Sequence, residues 1–246
     1  MKQNYLNLKE DDLDKPIYRV FSKKRLFEVF ENKKLVLVQP KLWDDPFENY
    51  IMNSTGELRD GKLFQVDFRE NFYGQCWTLK KESDAIWRIY APDKDGFKVK
   101  TTIRKLLTAL YSKGGTFKDI SSFIGKVEYF KKDELKKFLE DSKQISNMLT
   151  DPRGAGQAST LLFKRIAFSH EKEVRLIYYS PEKLKTDKYF LDVDPFELFD
   201  EITVDPRTKY VDFKAWKSQL TALGYKKKVI RSLLYKTPDL KFKFHR

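Results

Sequence analysis

The sequence is short of the residues on which most catalytic chemistry is built. Its 246 residues include one cysteine, Cys76, and two histidines, His170 and His245. A single thiol excludes an intramolecular disulfide and a cysteine-based structural zinc site, and fits a protein of the reducing cytoplasm. Any Ser-His-Asp or Cys-His arrangement would have to rest on His170, because His245 is next to the last residue. No glycine-rich phosphate loop of the P-loop or dinucleotide type occurs. The ten glycines and nine prolines are scattered, leaving no repeat or low-complexity tract. No stretch approaches the ~18 uninterrupted apolar residues of a transmembrane helix, so no membrane partner is expected. The opening MKQNYLNLKEDDLDKP has no apolar centre of a secretory signal. Carboxylates, arginine and aromatics are the chemical inventory that is left, and a reaction built on them requires no metal.

Charge and aromatic rings are plentiful. The 49 Lys and Arg outnumber the 36 Asp and Glu, for a net charge of +13. A field of that sign attracts polyanions, nucleic acid first among them in a cytoplasm. A lysine-rich genome that places lysine wherever solvent permits would give the same count. With 41% hydrophobic and 15% aromatic residues, the chain can build a core that a disordered polyelectrolyte could not. Its length suits one compact domain over residues 17–246, preceded by a polar arm over 1–16 that is frayed or short.

Ile17 to Phe21 reads as a strand, and Ser22 as the N-cap of a helix with Leu26, Val29 and Phe30 on one stripe. Leu35 to Val38 and Phe72 to Leu79 read as strands, and Ala85 to Tyr90 as a helical turn. Ile103, Leu106, Leu107 and Leu110 follow helical spacing. Asp133 is expected to cap one further helix carrying Leu135, Phe138, Leu139, Ile145 and Met148. TDPRGAGQAS (150–159) reads as the loosest loop, able to serve as a lid. Strands return at 174–179, 189–193 and 201–204, followed by a helix through Phe213, Trp216, Leu220 and Leu223 and the strand-like KVIRSLLY. Strands at both ends and helices in the middle predict an α+β fold.

FSHEKEVRLIYYSPE (168–182) holds Glu171 and Glu173 at the mouth of an apolar run. In a strand both would lie on one face, because side chains alternate with a period of two. Solvated glutamates paired with Lys172 or Arg175 are one reading. Glycosidic-bond chemistry is the other: one carboxylate stabilises a developing cation while its neighbour handles a proton. Like charges held close also push one carboxylate pKa upward.

EKEVRLIYYSPE resembles the E-x-E strand of ADP-ribosyltransferases, IYRVF (17–21) resembles their first strand, and GQCWTL (74–79) the strand beneath the nicotinamide. The three occur in the order that family requires, as Arg19, Thr78 and Glu173, with Cys76-Trp77-Thr78 in place of its Ser-Thr-Ser triplet. The longer strings YRVF, WDDPFEN, CWTLKKESDAIWRIYA, KRIAFSHEKEVRLI and ITVDPRT resemble a large bacterial family long described as uncharacterised. Some relatives of that family look like toxins of phage-defence systems. One toxin–antitoxin–chaperone system has an ADP-ribosyltransferase that modifies messenger RNA.

The resemblance implies a split β-sheet core with helices inserted in the middle of the chain. It implies NAD as substrate, Glu173 and Glu171 as catalytic residues, and no metal. Arg19, Tyr18, Trp77, Thr78, Trp87 and Tyr90 would bind NAD, the aromatics as a wall for a flat ring, although aromatics in such strings are also commonly core. His170, Arg175 and Arg153 would bind the acceptor. RNA is the expected acceptor, with basic residues at 98–105, 126–137 and 207–231 around the site strands, and an antitoxin protein is a possible partner. Asp45 and Glu48 either orient Arg19 or Arg88 or merely cap a turn. Two rivals stand beside this reading: a ribonuclease-type toxin with His170 as base, and a non-catalytic protein that binds nucleic acid or a partner.

Overall fold

The computed structural model describes residues 4–43, Asp45, Glu48, 50–57, 60–65, 67–241 and Lys243. Asp44, Pro46, Phe47 and Asn49 of the WDDPFEN string, and His245, lie outside the described residues. The chain runs β1 (Tyr5–Leu6), β2 (Pro16–Ser22), α1 (Lys23–Asn32) and β3 (Lys34–Val38). A short helix α2 (Tyr50–Asn53) and the hairpin β4 (Thr55–Glu57) and β5 (Leu63–Gln65) lead to β6 (Phe72–Thr78). Then follow α3 (Asp84–Tyr90), β7 (Gly96–Thr102) and α4 (Ile103–Tyr111). The middle holds α5 (Lys118–Ser121), β8 (Ser122–Lys126), β9 (Glu128–Phe130), α6 (Lys132–Glu140), α7 (Ser142–Leu149), α8 (Ala155–Ser159) and β10 (Phe163–Arg165). The last part is β11 (Glu173–Tyr179), β12 (Lys188–Asp192), α9 (Pro195–Leu198), β13 (Glu201–Val204), α10 (Tyr210–Ala222) and β14 (Lys228–Arg231).

The fold is α+β. Ten strands form one mixed sheet in the order β1-β8-β11-β6-β2-β7-β13-β14, with β3 beside β6 and β12 beside β3. β11 and β6 pair along their whole lengths, as do β2 and β7. Between them, the ladder of β2 with β6 is reduced to the single pair Tyr18 and Thr78 among the described residues. The sheet is therefore split there into two half-sheets, and the helices α4 to α8 lie between β7 and β11 in the chain.

β11 reads as a continuous apolar run because it is buried on both faces. Val174 and Leu176 join Phe21, Trp77 and the stripe Leu26, Val29 and Phe30 of α1 in one core, whereas Ile177 packs with Phe72, Phe123, Leu161 and Leu162 in a second. Gly74 on β6 is small for a reason: a Cβ there would meet the ring of Trp43 at 2.6 Å. That ring covers the Arg175 guanidinium at 4.5 Å.

Several expectations are corrected. Residues 4–13 are not a frayed arm: Tyr5–Leu6 adds a parallel edge strand to β8, and Asn4 and Leu13 are buried. Strands β7 and β8 lie where no strand was expected. Asp133 lies inside the first turn of α6, and the expected single helix is two, broken at Asp141, whose side chain caps α7 through the Gln144 amide. The 150–159 segment is no loose lid. Asp151 accepts from the Gly156 amide at 2.9 Å, Gly154 turns the chain at a φ of 75°, and α8 buries Ala158.

Candidate active site at the split in the sheet

Where β2 and β6 part lies a narrow cleft of about 40 Å³. β2 lines it with Tyr18, Arg19 and Val20, and β6 with Cys76, Trp77 and Thr78. Ile86 and Tyr90 of α3 form one wall, and Glu171 and Glu173 close it. Expected residues from three separate parts of the sequence thus meet in one hollow.

The wall follows from helix geometry. Ser83 caps α3 by accepting from the Ile86 amide, and Ile86 and Tyr90, four residues apart, share the face that looks into the cleft. Trp87 is turned about 100° from Ile86, so its ring goes into the protein at 1% exposure, with Nε1 donating to Glu82 at 2.9 Å. Trp87 is a core residue and does not line the cleft. Trp77 lies on the strand face opposite Cys76 and Thr78, and its Nε1 donates to Gln75. It contributes to the floor of the cleft from within the core.

Glu171 and Glu173 do face one site, but not by strand alternation. Glu171 ends a 3-10 turn and Lys172 adopts a left-handed conformation at φ 47° before β11 begins. Thr78 secures the turn: its hydroxyl donates to the Glu171 carbonyl and accepts from the Lys80 amide. The Glu173 amide donates to the Tyr129 hydroxyl at 2.8 Å.

Both carboxylates converge on a residue the sequence reading did not single out. Lys164 Nζ lies 2.5 Å from Glu171 Oε2, 2.6 Å from Glu173 Oε1 and 2.7 Å from Glu48 Oε1. Arg175 completes the group, with Nε 2.8 Å from Glu173 Oε2 and Nη2 3.1 Å from Glu48 Oε2. Arg175 is fully buried and braces Glu173 from beneath, so it cannot meet an acceptor. Glu48 belongs to this cluster and orients neither Arg19 nor Arg88. Asp45 pairs with Arg165 at 3.0 Å.

The two cleft glutamates sit in different fields. Burial, and then the hydrogen bond with Glu173, push Glu171 up to about 7. Burial also opposes the charge of Glu173, but Arg175, the Glu171 hydrogen bond and Lys164 together outweigh it and hold Glu173 well below the usual carboxylate range. The Tyr90 hydroxyl, 3.4 Å from Glu171 Oε1, is raised by burial and by the glutamates and stays protonated. Burial, then Glu173, push the Cys76 thiol up to about 12, so it offers no thiolate. Counted as ions, Lys164 and Arg175 face three carboxylates, and Arg19, which lines the same cleft, supplies a third cation.

Arg19 reaches across the split, its Nη1 donating to the Cys76 carbonyl, while its buried Nε has no partner. His170 is exposed, one residue outside the cleft, with Nδ1 3.2 Å from the Ala167 carbonyl. Arg153 pairs with Asp151 and lines a separate hollow with Lys143 and Asn147. The basic run 98–105 is mostly engaged internally: Lys98 is buried against the Lys81 carbonyl, Arg104 pairs with Asp14, and Lys105 with Asp200. Among the described residues no group of three or more His, Cys, Asp or Glu is placed to hold a metal ion, and no helix is long and apolar enough to cross a membrane.

The family model described as "Protein of unknown function (DUF2971)" matches residues 86–176, a span that contains Tyr90, Lys164, Glu171 and Glu173. No curated protein matches the chain. Similar solved structures include those of Thermus sp. 2.9 DarT. Its complex with NAD+ shares 11% identity over 89% of this chain and 96% of that chain, with a TM-score of 0.39. The corresponding values are 13%, 92%, 97% and 0.38 for the complex with carba-NAD+, and 11%, 89%, 94% and 0.39 for the complex with ADP-ribosylated ssDNA. Likeness at this level decides neither reaction nor substrate.

Proposed function

We propose that this protein is an ADP-ribosyltransferase that moves ADP-ribose from NAD to a macromolecular acceptor, RNA in the first instance, as a toxin of bacterial phage defence. The supporting observation is the pair Glu171 and Glu173 in one cleft with Arg19, Tyr18 and Tyr90. Two carboxylates whose surroundings drive their protonation apart are suited to different roles in one reaction. NAD would supply a ribose already bonded to a good leaving group, neutral nicotinamide.

The residues present fit such a substrate. Tyr18, Tyr90, Val20 and Ile86 offer apolar and aromatic surface for a flat ring, and the unpartnered Arg19 Nε is a charge-assisted donor for a phosphate or ribose oxygen. Glu173, ionised and locked by Lys164 and Arg175, sets a fixed negative charge where positive charge builds as the glycosidic bond lengthens. The bonding pair leaves with nicotinamide. The acceptor's nucleophilic atom then bonds the ribose carbon, and its proton passes to Glu171, the carboxylate able to exchange one near neutrality.

Of the two rivals, a ribonuclease would need His170 in the cleft, and it stands outside. A non-catalytic binding protein would have no use for two buried carboxylates in separate protonation states. RNA as acceptor is supported by the +13 charge, and an antitoxin partner by the toxin context alone. The test supplies NAD labelled in its adenylate part, with RNA, single-stranded DNA or a protein lysate in separate reactions. Label on RNA supports the full reading. Label on DNA or protein moves the acceptor and keeps the reaction, and RNA cleavage without NAD contradicts both.

A further inference from the structure

We propose that Lys164 is a positioning residue of this site: its ammonium, shared among Glu48, Glu171 and Glu173, sets the two cleft carboxylates side by side and fixes which of them carries the proton. The inference rests on the transferase reading for its kinetic consequence and on the geometry alone for the rest. An ammonium has three N–H donors, and each of the three carboxylates has one oxygen within 2.5 to 2.7 Å of Nζ. The donors are used up, so Lys164 has nothing left for a substrate and does not line the cleft. The residue sits on β10, a strand of the separate two-stranded sheet with β9, and so holds the Glu171 turn and β11 from outside the main sheet.

Lys164 differs from Arg175 in what it spans. Arg175 grips Glu173 and Glu48 but makes no contact with Glu171, whereas Lys164 is the cation common to both cleft carboxylates. The groups facing Glu171 are Lys164 from β10, Glu173 from β11 and Tyr90 from α3, with Arg19 of β2 and Cys76 of β6 in the same cleft. Tyr129 of β9 and Arg175 stand behind Glu173, and Glu48 lies beyond Lys164. Removing Lys164 therefore takes from Glu171 the cation paired with it among the described residues and leaves Glu173 with Arg175. Both carboxyls should take up protons more readily, and their relative placement should loosen.

The test uses the full chain. Lys164→Met alone strands three buried carboxylates on one arginine and threatens folding, so Lys164→Met/Glu48→Gln is made beside it to keep the charge balance. In the double variant, NAD turnover should fall on the order of 100-fold while the Michaelis constant for NAD changes by less than about threefold. Lys164→Arg should recover part of the rate, because the charge returns without the compact three-way geometry. Infrared titration of isotope-labelled glutamate carboxyls gives a readout independent of turnover, and the carboxyl that titrates near neutrality should move to higher pH in the double variant. A folded double variant with turnover within about threefold of the parent, or with an unmoved carboxyl titration, overturns the inference. If the parent itself releases no nicotinamide, the transferase reading fails. The carboxyl titration then decides the role of Lys164, and an unmoved value rejects it.

Discussion

Tyr18 faces Thr78 in the one register pair of β2 with β6 among the described residues. That one pair marks where the sheet splits, and Thr78 also ties the split to Glu171 through its hydroxyl. Thr78→Val keeps the shape and the strand preference but removes the bond to the Glu171 carbonyl and the acceptor for the Lys80 amide. It should cost about 1 kcal/mol in denaturant unfolding and lower NAD turnover as the Glu171 turn drifts, whereas Thr78→Ser should behave close to the parent. Turnover equal in the Val variant and the parent would show that this hydroxyl does not position Glu171.

Lys172 is exposed and left-handed between the two glutamates. A non-glycine residue in that conformation carries a steric penalty of roughly 1 kcal/mol, and a β-branched one carries more. Lys172→Gly should therefore be near neutral or slightly stabilising, and Lys172→Val destabilising by about 1–2 kcal/mol. Urea unfolding of the two variants checks the order. Equal stabilities would mean that the turn relaxes without cost.

Parts of this architecture were legible in the sequence because their causes are local. Ser22 caps α1 through the Arg25 amide as its position before an apolar stripe predicts, and the strand over 201–204 coincides with β13. Other parts were hidden by pattern. GFKVKTT alternates lysine with β-formers, and its Lys98 is a buried residue of β7 where a basic surface cluster was expected. Trp87 is misplaced by a single step of helix phase, since its neighbour Ile86 lines the cleft. Lys164 carries no local signal, because what makes it matter is its meeting with Glu48 and with Glu173 of β11 in space. The EKE string pointed to two carboxylates that share one cleft, but by the wrong geometry: a left-handed lysine, not a strand pleat, brings them together.

Arg19→Lys keeps the charge but loses the planar fork, including the free Nε. The Michaelis constant for NAD should rise by roughly tenfold, with a smaller loss of turnover. An unchanged dependence on NAD concentration would remove Arg19 from substrate binding.

Glu171 should also leave a mark on stability. Its carboxyl is raised from 4.5 to about 7 in the folded protein, so the folded state holds that proton more tightly than the unfolded one. The associated stability is complete below about pH 4.5 and is lost as pH rises through about 7. Glu171→Gln imitates the protonated form at every pH. It should match the parent near pH 5 and exceed it near pH 8 by on the order of 2 kcal/mol. Denaturant unfolding at the two pH values decides, and a parent–variant difference that is the same at both contradicts the raised carboxyl.

Nicotinamide release from NAD by the parent and by Glu173→Gln tests the transferase reading most directly. The exchange keeps the size of the side chain and removes the fixed charge that Lys164 and Arg175 hold at the cleft. The parent should release nicotinamide without added metal, and the variant should do so on the order of 10²–10³ more slowly with the same fold by circular dichroism. Release by the folded variant within a few-fold of the parent, or no release by the parent at all, would contradict it.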